Sequence, residues 1–215
     1  AMAIYAIAFV LFTIDLAGKA TEGKLSSKFQ GIAMSLTWLA FVLQLAATIM
    51  RGLAASRVPW ANMYEFAMTG TLVITGVFLV ANLKWNLRFV GTFSTGLTLV
   101  LLGLAATRYY VEVVPLPPAL QSYWLVIHVF VATLATGFFS LGFSLSFLQL
   151  LQQRRETAIH DGKKTRLTGL VKLPDAVALE NYAYRLIIIG FIFWTFTLIA
   201  GAIWADKAWG RYWGW

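Results

Sequence analysis

Apolar residues in this sequence fall into runs of roughly 18–25, each long enough to cross a hydrocarbon layer of about 30 Å as a helix. Short polar segments separate the runs. Backbone in lipid must satisfy its own hydrogen bonds, so runs without a long polar face must be helices. The chain therefore reads as an all-α, polytopic transmembrane helical bundle. Composition agrees: 60% of residues are hydrophobic, 12% are charged, and the mean hydropathy is +0.74.

Six spans can be drawn in the single transmembrane domain, residues 1–215. They cover about 1–16, 31–50, 63–81, 87–106, from after Pro117-Pro118 to about 151, and about 182–205. The chain opens at Ala1 inside an apolar run and stops at Trp215 inside a Trp-rich stretch, which points to a longer protein.

Loop charge sets the expected orientation. One set of loops carries Lys19, Lys24, Lys28, Lys84, Arg88, Arg154, Arg155, Lys163, Lys164, Arg166 and Lys172; the other carries Arg51, Arg57, Arg108, Lys207 and Arg211. Cytoplasmic loops hold the excess of Lys and Arg, so the first set is assigned to the cytoplasm and the Trp-rich stretch to the outer face. The same bias accounts for the net charge of +8 without a nucleic-acid partner. The cytoplasmic segment 152–181 contains Leu173-Pro174-Asp175, which reads as a helix start with Pro174 in the first turn. A short interfacial helix feeding the sixth span is expected there. The sequence holds no cysteine, so any thiol chemistry the chain serves must come from a partner.

Two histidines are present. His160 sits in the charged loop RRETAIHDGKK and reads as a solvated surface residue. His128, in QSYWLVIHVF, falls inside the fifth span, about 10 Å below the outer surface by helical rise. Ionisable groups at such depth face a polar cavity, a partner or a cofactor. Trp124 and Gln121, four and seven residues earlier, share its face if the helix extends that far. Position alone allows two roles for His128: a hydrogen bond to a neighbouring helix, or an axial nitrogen for iron.

The closing stretch GAIWADKAWGRYWGW crowds Trp204, Trp209, Trp213 and Trp215 together with Tyr212. An aromatic belt at the membrane interface explains one or two of these well and four less well. If the stretch is helical, Trp209, Tyr212 and Trp213 share a face. Flat aromatic surfaces beside an imidazole suit a porphyrin, which needs dispersion contacts and an axial nitrogen. Before the third span, Asn62 followed by Glu65 reads as a helix N-cap arrangement. Arg51, Arg57, Arg108 and Arg211 have two readings, headgroup contacts or partners for carboxylates such as propionates.

The Trp-rich stretch resembles the WWD signature of the CcsA, CcmC and CcmF heme-handling superfamily. In its CcsA/ResC-type branch the pattern is W-G-x-x-W-x-W-D-P-K-E, and Trp209, Gly210, Trp213 and Trp215 fall in register with it. The lead-in GAIWADKAWG, PWANMYEF and LQSYWLVIH also resemble that branch, so the likeness runs from about Val58 to Trp215.

The resemblance implies system II cytochrome c maturation with a ResB-type membrane partner in the bacterial cytoplasmic membrane. Heme b is the cargo, carried across the bilayer and presented on the outer face to the CxxCH motif of apocytochrome c. Of the family's two external heme-ligating histidines, His128 matches the first by its place in LQSYWLVIH; the second is expected downstream of the motif. Trp124, Trp209, Trp213, Trp215 and Gly210 are then heme-binding candidates, and His128 is the candidate ligand of the heme iron. Three other readings stand beside this one: a heme chaperone without a ligase role, an electron-transfer subunit with structural b-type heme, and a transporter or anchor. The electron-transfer reading needs paired intramembrane histidines, and one is present.

Overall fold

Asn62, Ser122 and Asp175 each begin a helix. Their side-chain oxygens accept from the backbone N–H of Glu65 at 2.9 Å, Trp124 at 3.3 Å and Ala178 at 2.7 Å. Each bond satisfies a donor that the first helical turn leaves without an intrahelical partner. These caps open α3 (Met63–Lys84), α5 (Tyr123–His160) and α6 (Ala176–Trp209). The remaining helices are α1 (Met2–Ala17), α2 (Gly23–Ala55) and α4 (Gly91–Arg108), with short 3-10 turns at Arg88–Val90 and Thr168–Lys172. The computed structural model describes residues 1–17, 23–113, 121–163, 165 and 168–214, with 23–27 and 168 as backbone only. Pro117 and Pro118, placed before the fifth span, lie outside the described residues, as do Lys19, Lys164 and Arg166.

The fold is the all-α membrane bundle that the apolar runs imply. Five helices, α2 to α6, are long and apolar enough to cross a membrane. With 16 residues, α1 measures about 24 Å, short of the hydrocarbon thickness. Helices overshoot the apolar runs: α2 and α6 do so at both ends, and α5 continues to His160. One expectation is corrected here. Pro174 precedes the cap instead of occupying the first turn, and α6 runs unbroken from Ala176 into the span; among the described residues the helical turn before it is the 3-10 turn Thr168–Lys172.

The helices α1, α2, α3 and α4 pack as a closed ring, each touching two neighbours; α5 lies against α3, and α6 lies chiefly on α5. Phe12 and Phe78, both almost fully buried, meet edge to face at 6.3 Å in the centre of the ring. Lipid tails are as apolar as leucine, so close packing and interhelical hydrogen bonds, more than hydrophobic exclusion, hold such helices together. The amide of Gln44 donates to Met68 O and to Thr71 Oγ1, each at 2.9 Å, tying α2 to α3. Hydroxyls of Thr75 and Thr98, 3.2 Å apart, tie α3 to α4. On the α5–α6 seam, Gly142 lies under Ile187 and Gly190 under Phe139, so the two backbones approach closely.

Alternation of the helices divides the loops into two groups. One end of the bundle carries Lys28, Lys84, Arg88 and Lys172; the other carries the end of α6, the start of α5 and the α2–α3 loop. At the basic end, Lys172 Nζ donates to Asp15 O at 3.1 Å and Gln30 Nε2 donates to Asp15 Oδ2 at 3.2 Å. The first bond pins the turn before α6, and the second pins α2, to the end of α1. His160 is at this end too, with its side chain 90% exposed.

Candidate functional site

Ser122 sets where α5 starts, and the start sets the depth of His128. Counting from Tyr123, His128 is the sixth residue of the helix, about 8 Å from its beginning. Gln121 precedes the cap, so it does not share the helix face with His128 as the seven-residue spacing suggested. Trp124, one turn above His128, is half-buried and tilted against Tyr123 at 5.3 Å.

The half-buried imidazole of His128 faces α6. Its Nδ1 lies 3.0 Å from the backbone oxygen of Thr197. A carbonyl can only accept, so in the neutral ring Nδ1 carries the hydrogen and Nε2 keeps its lone pair. The arrangement resembles the outer hydrogen bond that fixes the tautomer of metal-binding histidines. Trp204, one turn above Gly201 on α6, stacks on the imidazole with ring centroids 6.0 Å apart and planes at 24°. Trp209 meets Trp204 edge to face at 4.8 Å. Lys207 Nζ, 5.9 Å from the Tyr123 ring, adds a contact between the ends of α5 and α6.

Thus His128, Trp204 and Trp209 come together, and Trp213 does not join them. The helix stops at Trp209 because Gly210 adopts the left-handed conformation, φ 67°, with its N–H on Asp206 O at 2.7 Å. This is an αL helix end, which glycine enters without a Cβ penalty. Trp209, Tyr212 and Trp213 therefore do not share a helical face; they are 56%, 58% and 72% exposed. Trp215 lies outside the described residues.

Thr197 and Gly201 are partners that reading for histidines and tryptophans alone missed; Trp204, counted with the Trp-rich stretch, joins them as the ring stacked on His128. They recur at i, i+4 and i+7, one stripe of α6. A glycine in the middle of such a stripe marks a place where a neighbour approaches the backbone, and here the neighbour is His128.

The α2–α3 loop builds a second polar cluster at the same end. Asn62 caps α3 as expected, but the Glu65 carboxylate does not return to the Asn62 N–H. Its Oε1 takes Arg51 Nε at 3.0 Å and Arg57 Nη2 at 3.3 Å; Oε2 takes Arg57 Nη1 at 2.7 Å and the Ala61 N–H at 2.9 Å. Four donors fill the four acceptor sites of a carboxylate, and the Glu65 side chain is fully buried. Arg51 also donates to Val111 O at 2.7 Å, bringing in the segment after α4. Both arginines are thereby engaged inside the protein instead of on headgroups. Arg108 and Arg211 remain exposed.

Residues 60–215 match the family described as cytochrome C assembly protein. A protein named cytochrome c biogenesis protein CcsA from Trieres chinensis is 31% identical over 190 residues, which cover 77% of this chain and 61% of that relative. A protein of the same name from Guillardia theta is 31% identical over 172 residues, covering 73% of this chain and 56% of its own length. Another, from Synechococcus sp. (strain RCC307), is 30% identical and aligns with the whole chain and 75% of itself. The chain thus spans about 56–61% of the length of the first two.

Proposed function

Because this chain belongs to the cytochrome C assembly protein family and is of the CcsA type, we propose that it delivers heme b and presents it for covalent attachment to apocytochrome c. The observation that carries the reading is the Nδ1 bond from His128 to the Thr197 carbonyl, which leaves Nε2 as a ligand nitrogen beside two indole rings. The Trp-rich end faces outward, away from the cytoplasm, and a ResB-type membrane protein is the working partner.

The residues fit such a cargo. A neutral imidazole is a ligand for heme iron. Trp209, with Trp124 one turn above the histidine, would give apolar surface for the macrocycle, and Trp204, stacked on the imidazole, holds the ligand ring in place. Trp213, exposed beyond the Gly210 turn, adds to that packing from the free side, and Trp215 stays a heme-binding candidate by its place in the motif. Arg211, two residues past Trp209, supplies a guanidinium suited to a propionate. Among the described residues the other histidine, His160, is at the opposite end of the bundle, so a second axial ligand is not theirs to give.

Heme supplies two vinyl groups, across which the two cysteine thiols of the CxxCH acceptor add to form thioethers. Each addition consumes one S–H and one C=C, and the chain needs no thiol of its own. Its part is to hold the ring in one orientation, which is catalysis by positioning.

The test is a visible absorption spectrum of the full-length protein purified with its partner, wild type against His128→Ala. Loss of the heme bands in the variant and their return with external imidazole is the expected result. A His128→Ala protein that keeps heme with an unchanged spectrum would remove the ligand role. Heme-free wild type from heme-replete cells would leave a membrane transporter or anchor as the better reading.

A further inference from the structure

A groove of about 520 Å³ runs along α3 from Leu72 to Lys84; it does not include His128, and its first α5 residue, Leu134, lies six residues farther along that helix. Phe41 of α2 forms one wall, and Phe138 of α5 with Ile189 of α6 forms the other. Gly76 opens the floor midway, where a Cβ would stand 3.3 Å from the Phe41 ring. The groove opens on the side where Val80 is 62% exposed. Twelve residues of helical rise make its floor about 18 Å long, close to the ~15 Å of a single leaflet's hydrocarbon.

Chemistry along the groove is one-sided. Its walls are apolar until the basic-loop end, where Lys84 is the single charged lining residue. The exposed Lys84 ammonium stands 5.4 Å from the Trp85 ring, with exposed Arg88 following in the same loop. Tryptophan and lysine at a helix end mark headgroup level. No lining residue is acidic, and none offers an imidazole, thioether or thiolate to iron. A long apolar slot ending in a cation at headgroup depth matches an acyl chain that carries an anionic head.

We propose that this groove holds one acyl chain of an anionic phospholipid from the leaflet at the basic-loop end, with the lipid phosphate on Lys84. The site is separate from the proposed heme site and does not depend on it.

Native mass spectrometry of the full-length protein in detergent, with phosphatidylglycerol or phosphatidylcholine added, tests this. Wild type should retain one phosphatidylglycerol per chain in preference to phosphatidylcholine by about fivefold, the worth of one lysine near a membrane surface. Lys84→Gln should equalise the two lipids. Val80→Trp should fill the groove and lower retention of both, whereas Leu83→Trp, at a site 75% exposed and outside the groove, should change neither. Equal retention of both lipids by wild type, or undiminished phosphatidylglycerol in Val80→Trp, would overturn the proposal. So would heme found in the groove of a His128→Ala protein. If Val80→Trp does not fold, the Lys84→Gln comparison decides by itself.

Discussion

Gly201 lies directly against the imidazole of His128: a Cβ built there would stand 2.8 Å from Cε1 and 2.9 Å from Nδ1. Such separations are not tolerated, so a side chain at this position requires the ring to move. The hydrogen bond to Thr197 O exists because α6 has no Cβ at residue 201.

Gly201→Ala therefore separates helix stability from ligand geometry. Alanine is the better helix former by up to about 1 kcal/mol, which offsets the hydrogen bond lost as the ring moves, so thermal stability in detergent should change little. Heme retained on purification should fall by about fivefold, the worth of one ordinary hydrogen bond. Undiminished heme content in the alanine variant would show that the ring orientation set by Thr197 is irrelevant to binding.

Glu65 predicts a large stability effect away from the tryptophans. Glu65→Gln leaves Arg51 and Arg57, with side chains 12% and 10% exposed, around a neutral amide. Breaking a buried pair of this kind costs about 3–5 kcal/mol. The exposed Glu180, substituted in the same way, should change stability by about 0.5 kcal/mol or less. Denaturation in mixed detergent micelles, read by circular dichroism, gives both numbers; equal values would mean that the cluster is not what holds the α2–α3 loop.

Gly210→Ala tests how the Trp-rich stretch leaves the helix. Nothing lies within 4 Å of a Cβ at this position, so the cost is conformational, about 1–2 kcal/mol for a left-handed L-residue. The variant should either lose that much stability or extend α6 by a turn. Tryptophan fluorescence should shift in the second case, as Trp213 leaves its exposed position. A variant matching wild type in both readouts would contradict the αL end.

Trp204→Phe and Trp204→Ala form a graded pair. Phenylalanine keeps a ring against His128 and should retain most of the heme; alanine removes the stack and about 0.5–1.5 kcal/mol of aromatic contact. Soret absorbance relative to protein should fall in that order. Equal losses would mean that the indole N–H or its full area matters, and not the stacked ring.

Much of the fold could be read from the sequence because lipid leaves so few options. Apolar runs located all six helices, and Asn62 announced the start of α3. Helix ends were less legible: hydropathy marks the stretch that suits hydrocarbon, whereas α5 and α6 continue through polar residues to ends fixed by Ser122, Asp175 and Gly210. His128 stood out because an ionisable group inside a span is rare. Its partners did not, because Thr197 contributes only a backbone oxygen and Gly201 contributes an empty space. Glu65 was legible as part of a cap, but the arginines that surround its carboxylate are 8 and 14 residues away in sequence, and spacing within one helix carries no trace of them.

Since α6 rests chiefly on α5, the bond between His128 and Thr197 also measures the register of those two helices. A slip of one residue moves a backbone oxygen by about 1.5 Å along the axis, enough to carry a 3.0 Å contact out of hydrogen-bonding range. The aim of Nε2 is thus a property of the whole seam. Gly142 under Ile187 and Gly190 under Phe139 act as its teeth, and a bulky side chain at either glycine, about 21 Å from His128 along α5 or about 10 Å from Thr197 along α6, would be felt at the imidazole.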